Sequence, residues 1–444
     1  MMSPEMLTIL MFLGVALCIF LGFPVAFTLA GMGLIFGYMG WGQGIIPLMG
    51  ARAFNVMTDM TYVAIPLFVF MGSMLQMSGV AESAFGALKQ WLRKIKGGLG
   101  ISTVVLCVIF GSCVGVVGAS VTTMAMLTLP PMIDSGYKKS LATGIVAAGG
   151  SLGILLPPSI MMVVLGPVAG VSIIKLFAGT IAPGLMLGLC YGIYVFVITR
   201  VRKDLVPEIP KIPKGTKEDL EYTLVRGLAA FIPLIALIFL VLGVIFFGIA
   251  APTEAAAVGA TGAILIALGY RKCTLKALNS SALVTLRAST MVMFVILGAQ
   301  VFTASFFGVG GTRVVAAFLS GMGVGANGTL LLVLLLVFFL GIFLDWVGVI
   351  LIVVPVFLPI LVEFGFDPLY VCLVMLVLLQ TSFITPPFAY TIFYIMGVAP
   401  KGVTIGDIYR GIWPFVGIQL LITSFCVTQP AFMVWLPNLI VRIG

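Results

Sequence analysis

Long unbroken apolar runs dominate the chain. Leu330 to Leu344 contains no polar side chain, and several stretches exceed the roughly 20 residues a helix needs to cross about 30 Å of hydrocarbon. These runs lack the alternation of period two that marks a membrane β-barrel. Lipid satisfies no backbone polar group, so helices are the remaining way across. The pattern therefore predicts an all-α polytopic membrane protein. Interruptions in the runs place spans at about 224–248, 252–270, 279–306 and 368–396. The first apolar run follows a single charge, Glu5, and no Lys or Arg precedes Arg52. A cleavable signal peptide wants a basic start, so this one reads as a retained first span.

Composition agrees with the pattern and narrows the chemistry. Of 444 residues, 61% are hydrophobic and 8% charged, against roughly 25% charged in soluble proteins. There is no histidine, which removes histidine proton relays, triads and metal ligands. The seven cysteines (Cys18, Cys107, Cys113, Cys190, Cys273, Cys372, Cys426) form no CxxC pair and read as small core hydrophobes. The net charge of +9 points to basic cytoplasmic loops rather than nucleic acid. Twelve of the chain's 23 basic and 14 acidic residues fall between Arg200 and Arg226, beside Pro207, Pro210 and Pro213. That segment reads as a solvated linker between two membrane halves.

The halves superimpose at a shift of 229 residues, the distance from Pro157 to Pro386. At that shift Pro157-Pro158 falls on Pro386-Pro387, Pro130 on Pro359, Asp134 on Glu363, Gly136 on Gly365 and Tyr137 on Phe366. Lys138 and Lys139 follow the first Pro130 segment, whereas Glu363 and Asp367 follow its counterpart. Lys and Arg prefer the cytoplasmic side, so the two copies face opposite ways and the repeat is inverted. Residues 1–53 then form N-terminal membrane segments, 54–200 the first repeat, 201–223 a cytoplasmic linker, 224–278 a scaffold helix pair and 279–444 the second repeat. Each repeat holds a two-legged apolar stretch, at about 98–132 and 327–362, which is either a re-entrant hairpin or two full spans. Glycine at the turn and short second legs favour hairpins. Non-helical backbone survives at membrane depth only where protein or a water-filled cavity covers it, and two opposed tips would make such a cavity.

The double prolines carry the most chemistry. Pro157, Pro158, Pro386 and Pro387 stand inside apolar segments, remove backbone donors and break the helix. Interrupted helices at matching places in inverted repeats point to a transporter binding site, where freed carbonyls coordinate Na⁺. Ser151, Ser159, Thr381, Ser382 and Thr385 add hydroxyls nearby; the plainer alternative is a pair of structural kinks. Asp345 is the acid deep in a long apolar run, and such acids suggest function by default. It could bind a cation, carry a proton, meet hairpin amides or merely cap a helix. Glu254 reads as a helix cap, and Arg287 and Arg313 as snorkelling bases, with Arg313 close enough to the second hairpin to attract an anion. Gly149-Gly150-Ser151-Leu152-Gly153 has nucleophile-elbow spacing, but its flanks are membrane helix and no histidine is available as base. The absence of a P-loop motif removes ATP hydrolysis by the chain itself. An enzyme is not expected.

The chain resembles the large M-type (DctM-like) permease subunit of tripartite ATP-independent periplasmic (TRAP) transporters. The likeness covers nearly the whole length, through Ala64-Ile65-Pro66-Leu67-Phe68, Gly115 to Ser120, Leu129-Pro130-Pro131-Met132, Leu155-Leu156-Pro157-Pro158-Ser159, Leu176-Phe177-Ala178-Gly179, Pro252-Thr253-Glu254, Phe343-Leu344-Asp345-Trp346 and Leu379-Gln380-Thr381-Ser382. It implies an elevator-type, Na⁺-coupled importer in the bacterial inner membrane. Its partners would be a small four-span membrane subunit and a periplasmic solute-binding protein. By the resemblance, one Na⁺ lies among Val114, Gly115, Val117, Gly153, Leu156 and Pro158, and a second among Gly341, Asp345, Ser382, Thr385 and Phe388. Substrate binds between the tips, near Gly118, Ser120, Ser159, Thr381 and Arg313. Many members carry a Ser-rich first tip where this chain has Val114-Gly115-Val116-Val117, so side-chain hydroxyls are missing there. That variant resembles the branch handling 2-oxo acids and related carboxylates; a C4-dicarboxylate is the other expectation. No organic cofactor is implied. A stand-alone elevator permease, a channel and a structural scaffold are the competing readings.

Overall fold

The computed structural model describes residues 2–206, 224–386 and 389–443, and no strand occurs among them. Helices α1 (Pro4–Phe20), α2 (Val25–Trp41) and α3 (Ile45–Thr58) open the chain. The first repeat contains α4 (Ala64–Met77), α5 (Val80–Trp91), the pair α6 (Gly98–Val114) and α7 (Val117–Asp134), then α8 (Lys139–Ser151), α9 (Ile160–Ala169) and α10 (Ile173–Val201). After the linker come α11 (Leu224–Phe246) and α12 (Pro252–Gly269). The second repeat contains α13 (Leu275–Gly308), α14 (Gly311–Gly321), the pair α15 (Gly325–Phe343) and α16 (Trp346–Glu363), then α17 (Pro368–Ile384), α18 (Tyr390–Val398) and α19 (Ile405–Thr428). Helix α20 (Pro430–Ile443) ends the described chain. Nine stretches among the described residues are long and apolar enough to cross a membrane. Phe239, Leu331, Leu335 and Leu421 stay exposed, as expected of a surface solvated by lipid.

The internal repeat is visible in the helix boundaries. At the shift of 229, α7 and α16 share both their starts (Val117, Trp346) and their ends (Asp134, Glu363), and α8 and α17 share their starts (Lys139, Pro368). Gly136 and Gly365 close α7 and α16 with φ of +85° and +90°. Their N–H groups donate to Ile133 O at 2.8 Å and Val362 O at 2.9 Å. A side chain at either position would be strained, which accounts for glycine in both copies.

Capping moves two of the expected junctions. Residue 53 falls inside α3 and residue 278 inside α13. Asp59 accepts from Thr61 N–H at 2.9 Å and Thr274 from Ala277 N–H at 3.1 Å, so the chain breaks at those caps instead. The two pairs are slightly longer than the expected hairpins, since α7 continues to Asp134 and α15 starts at Gly325. Of the expected linker, residues 207–223 lie outside the described residues.

Basic loops from distant parts of the chain meet at one face. Thr199 Oγ1 donates to Lys96 O at 3.3 Å, Lys138 N–H to Leu205 O at 2.9 Å and Lys139 Nζ to Gly402 O at 2.5 Å. Lys138 and Asp204 pair at 3.9 Å, both well exposed. The basic segments at Lys138 and Arg200 are thus neighbours in space, with the loops at Lys96 and Gly402 beside them.

Helices meet through small residues. A Cβ at Gly33 would stand 2.7 Å from the backbone nitrogen of Phe302, so α2 and α13 touch backbone to backbone. Helices α8 and α19, from opposite repeats, cross likewise at Gly144 and Gly411. Without a hydrophobic drive between helices in lipid, such close approach supplies the packing energy. Glu254 accepts from Ala251 N–H at 2.9 Å and caps α12 as its sequence position indicates. Glu254→Ala is expected to lower stability by about 0.5–1 kcal/mol; thermal unfolding in detergent measures it, and an unchanged midpoint would mean that the cap carries no stability.

Candidate substrate and cation sites

Both expected helix breaks are present. Helix α8 ends at Ser151, a single 3₁₀ turn covers Leu152–Ile154, and α9 begins only at Ile160. Pro157 and Pro158, joined by a cis peptide, lie in the gap and offer no N–H. Ser159 is extended (φ −134°, ψ 138°) and caps α9, accepting from Met161 N–H at 3.3 Å. Its hydroxyl donates to Ile154 O across the break. In the second repeat α17 ends at Ile384, Thr385 is extended, and α18 begins at Tyr390. Thr391 Oγ1 donates to Phe383 O at 2.9 Å. Ile154 and Phe383 correspond at the shift of 229. Each repeat therefore fastens its break by a hydroxyl at the start of the next helix, donated to the equivalent carbonyl, although the donors Ser159 and Thr391 do not themselves correspond. Pro387 and Phe388 lie outside the described residues.

The paired helices deliver their turns to these breaks. Gly115 joins α6 to α7 with φ +63°, and a Cβ there would be 3.4 Å from Pro158 O. One turn earlier, α6 crosses the 3₁₀ turn by glycine on glycine. A Cβ at Gly111 would be 2.6 Å from Gly153 Cα, and one at Gly153 2.7 Å from Gly111 Cα. In the second repeat Gly341 of α15 meets Ser382, whose Cβ would be 2.7 Å from an added methyl. Gly153 and Ser382 again correspond at 229.

The two turns, Gly115–Gly118 and Leu344–Gly348, border one cavity of about 760 Å³. Ile154, Ile160 and Phe383 from the breaks complete one wall, and the α1–α2 connection with α13 forms the other. Of the residues expected at the sites, Gly115, Val117, Gly118 and Asp345 line this cavity. Asp345 is half-buried at the N-cap position of α16, beside the N–H groups of Trp346 and Val347, but forms no capping hydrogen bond of ordinary geometry. Val114, Gly153, Leu156, Pro158, Gly341, Thr381, Ser382 and Thr385 are buried in the shell outside the cavity lining, as are Ser120 and Ser159. Arg313 is exposed on α14 and does not border the cavity. The amphipathic character of that short helix holds it at the surface.

The shell contains polar atoms that the chain leaves unpaired. Gln380 Oε1 and Nε2, Thr381 Oγ1, Ser382 Oγ and Ser120 Oγ are buried without a hydrogen-bond partner. Such atoms are costly in a low-dielectric interior unless something else meets them. The neutral oxygens of Gln380, Thr381 and Ser382, next to a broken helix, suit a hard monovalent cation. Around the first tip Ser112 Oγ is committed to Val108 O at 2.7 Å, so carbonyls and Ser120 remain. Tyr390, Thr391 and Tyr394 were not singled out from the sequence. Their signal was present, since they follow the second proline pair on a helix of its own.

The model of the family described as the tripartite ATP-independent periplasmic transporter, DctM component, matches residues 12–431. The chain is 31% identical over 391 residues to the C4-dicarboxylate TRAP transporter large permease protein DctM of Pseudomonas aeruginosa, covering 88% of this chain and 89% of that one. It is 29% identical over 442 residues, covering 98% of each, to the 2,3-diketo-L-gulonate TRAP transporter large permease protein YiaN of Escherichia coli. In three dimensions it is similar to the YdaH transporter of Alcanivorax borkumensis, with a TM-score of 0.64 at 15% identity over 98% of this chain and all of that one.

Proposed function

The chain belongs to the DctM family, the large permease component of TRAP transporters, and from that premise we propose that it performs Na⁺-coupled uptake of a small carboxylate. It is a transport protein and not an enzyme. The observation that carries the proposal is the pair of fastened breaks whose hairpin tips border one cavity. The unpaired oxygens of Gln380, Thr381 and Ser382 beside Gly341 support a cation site in the second repeat. Backbone carbonyls with Ser120 supply the first. Cations held behind the tips set the tip geometry, and substrate enters only when they do. Alternating access follows from movement of the hairpin core against α1, α2 and α13, in the elevator manner. The site lies in the bacterial inner membrane, with a small membrane subunit beside the chain and a periplasmic binding protein delivering substrate.

Proteoliposomes holding the chain with its candidate small subunit test this reading. Uptake of radiolabelled carboxylates is expected to need both the binding protein and an inward Na⁺ gradient, falling at least about tenfold without either. Uptake that proceeds with neither would transfer the chain to a stand-alone permease or channel.

A further inference from the structure

We propose that the cavity itself selects a carboxylate with one negative charge and an apolar body, and disfavours dicarboxylates. This rests on the transport reading above and narrows its substrate. Among the described residues bordering the cavity, Asp345 has the only charged side chain, and neither Lys nor Arg is present. Arg287 directly precedes the lining residue Ala288 on α13, but it is exposed and outside the lining. A second substrate carboxylate would therefore find no basic side chain in the cavity and would share it with Asp345. At membrane depth, weak screening makes such an encounter costly.

The remaining wall favours hydrocarbon. Phe23 from the α1–α2 connection, Phe27 of α2 and Met291 and Phe294 of α13 border the cavity with the hairpin tips. The first tip adds Val116 and Val117 where serines would have offered hydroxyls. An apolar body gains by leaving water there. Hydrogen-bond donors for a single carboxylate stand on one side, where Tyr390 and Tyr394 occupy adjacent turns of α18 and both border the cavity. The Tyr394 ring lies on Gly118: a Cβ there would be 2.7 Å from its Cζ and 3.0 Å from its hydroxyl oxygen. That contact carries a phenol from the second repeat to the tip of the first.

The test compares two ligands with the same 2-oxo acid head, 4-methyl-2-oxopentanoate and 2-oxoglutarate, which differ in an apolar or a charged far end. Direct binding of each, radiolabelled, to the purified permease with its small subunit is measured in Na⁺ and without the binding protein. The branched monoanion is expected to bind about tenfold or more tightly than the dianion. Phe294→Arg, which supplies the missing base, should narrow or reverse the preference, and Tyr394→Phe should weaken both ligands. A wild-type preference for 2-oxoglutarate, or none, overturns the inference even if no variant folds. Na⁺-driven uptake that fails for every carboxylate would instead remove the transport reading, whereas uptake that favours dicarboxylates removes only this narrowing.

Discussion

Adding one methyl group at Gly111 is expected to cost about 3 kcal/mol of stability, the upper end of what overpacking a tight interior produces. The added carbon would stand 2.6 Å from the Cα of Gly153 and 3.1 Å from its nitrogen. Both are backbone atoms of a turn already pinned by the Ile154–Ser159 hydrogen bond, so no side chain can rotate away. Relief requires lifting α6 off the break, which carries Gly115 away from Pro158. Gly111→Ala should therefore lower the unfolding midpoint in detergent and abolish uptake together. Gly192→Ala in α10 is the control, because a Cβ there meets nothing within 4 Å; it should be neutral or slightly stabilising. If the two variants melt alike, the glycine crossing does not hold the hairpin.

Thr391→Val is expected to raise the Na⁺ concentration for half-maximal uptake by about tenfold while leaving the amount of folded protein little changed. Valine preserves the shape but leaves Phe383 O without its hydroxyl donor, a loss of roughly 1–3 kcal/mol for a buried acceptor. Phe383 borders the cavity and follows Ser382 directly, so a relaxed carbonyl disturbs cation and substrate neighbours together. Thr391→Ser keeps the donor and should restore wild-type Na⁺ dependence. Ser159→Ala tests the symmetric hydrogen bond to Ile154 O and should also weaken the capping of α9. A valine variant with wild-type Na⁺ dependence, or a serine variant impaired as much as the valine one, would sink the fastening role.

Much of this architecture was legible because it depends on local chemistry. Hydrocarbon thickness sets the length of apolar runs, and Pro157-Pro158 removes two backbone donors in the middle of one. Gly136 and Gly365 repeat because the same left-handed closure follows α7 and α16. The shift of 229 was therefore readable from a few punctuating residues, and the helix boundaries follow it. The charge of each basic loop is local, whereas the contact of Lys139 with Gly402 joins loops 263 residues apart.

Other features depend on which segments meet across hundreds of residues, and no local preference encodes that. The sequence by itself determined a helical membrane chain with two copies of a broken-helix unit, since spanning length, proline breaks and glycine closures are properties of short segments. Only the tertiary structure decided that Tyr394 rests on Gly118, that Thr391 fastens the second break, and that the α1–α2 connection walls the cavity. It also left Arg313 at the surface, because α14 is amphipathic and its third residue falls on the exposed side. Lipid-buried helices choose partners by shape and small residues rather than by hydrophobicity, so the surroundings of the substrate emerge only when both repeats are packed.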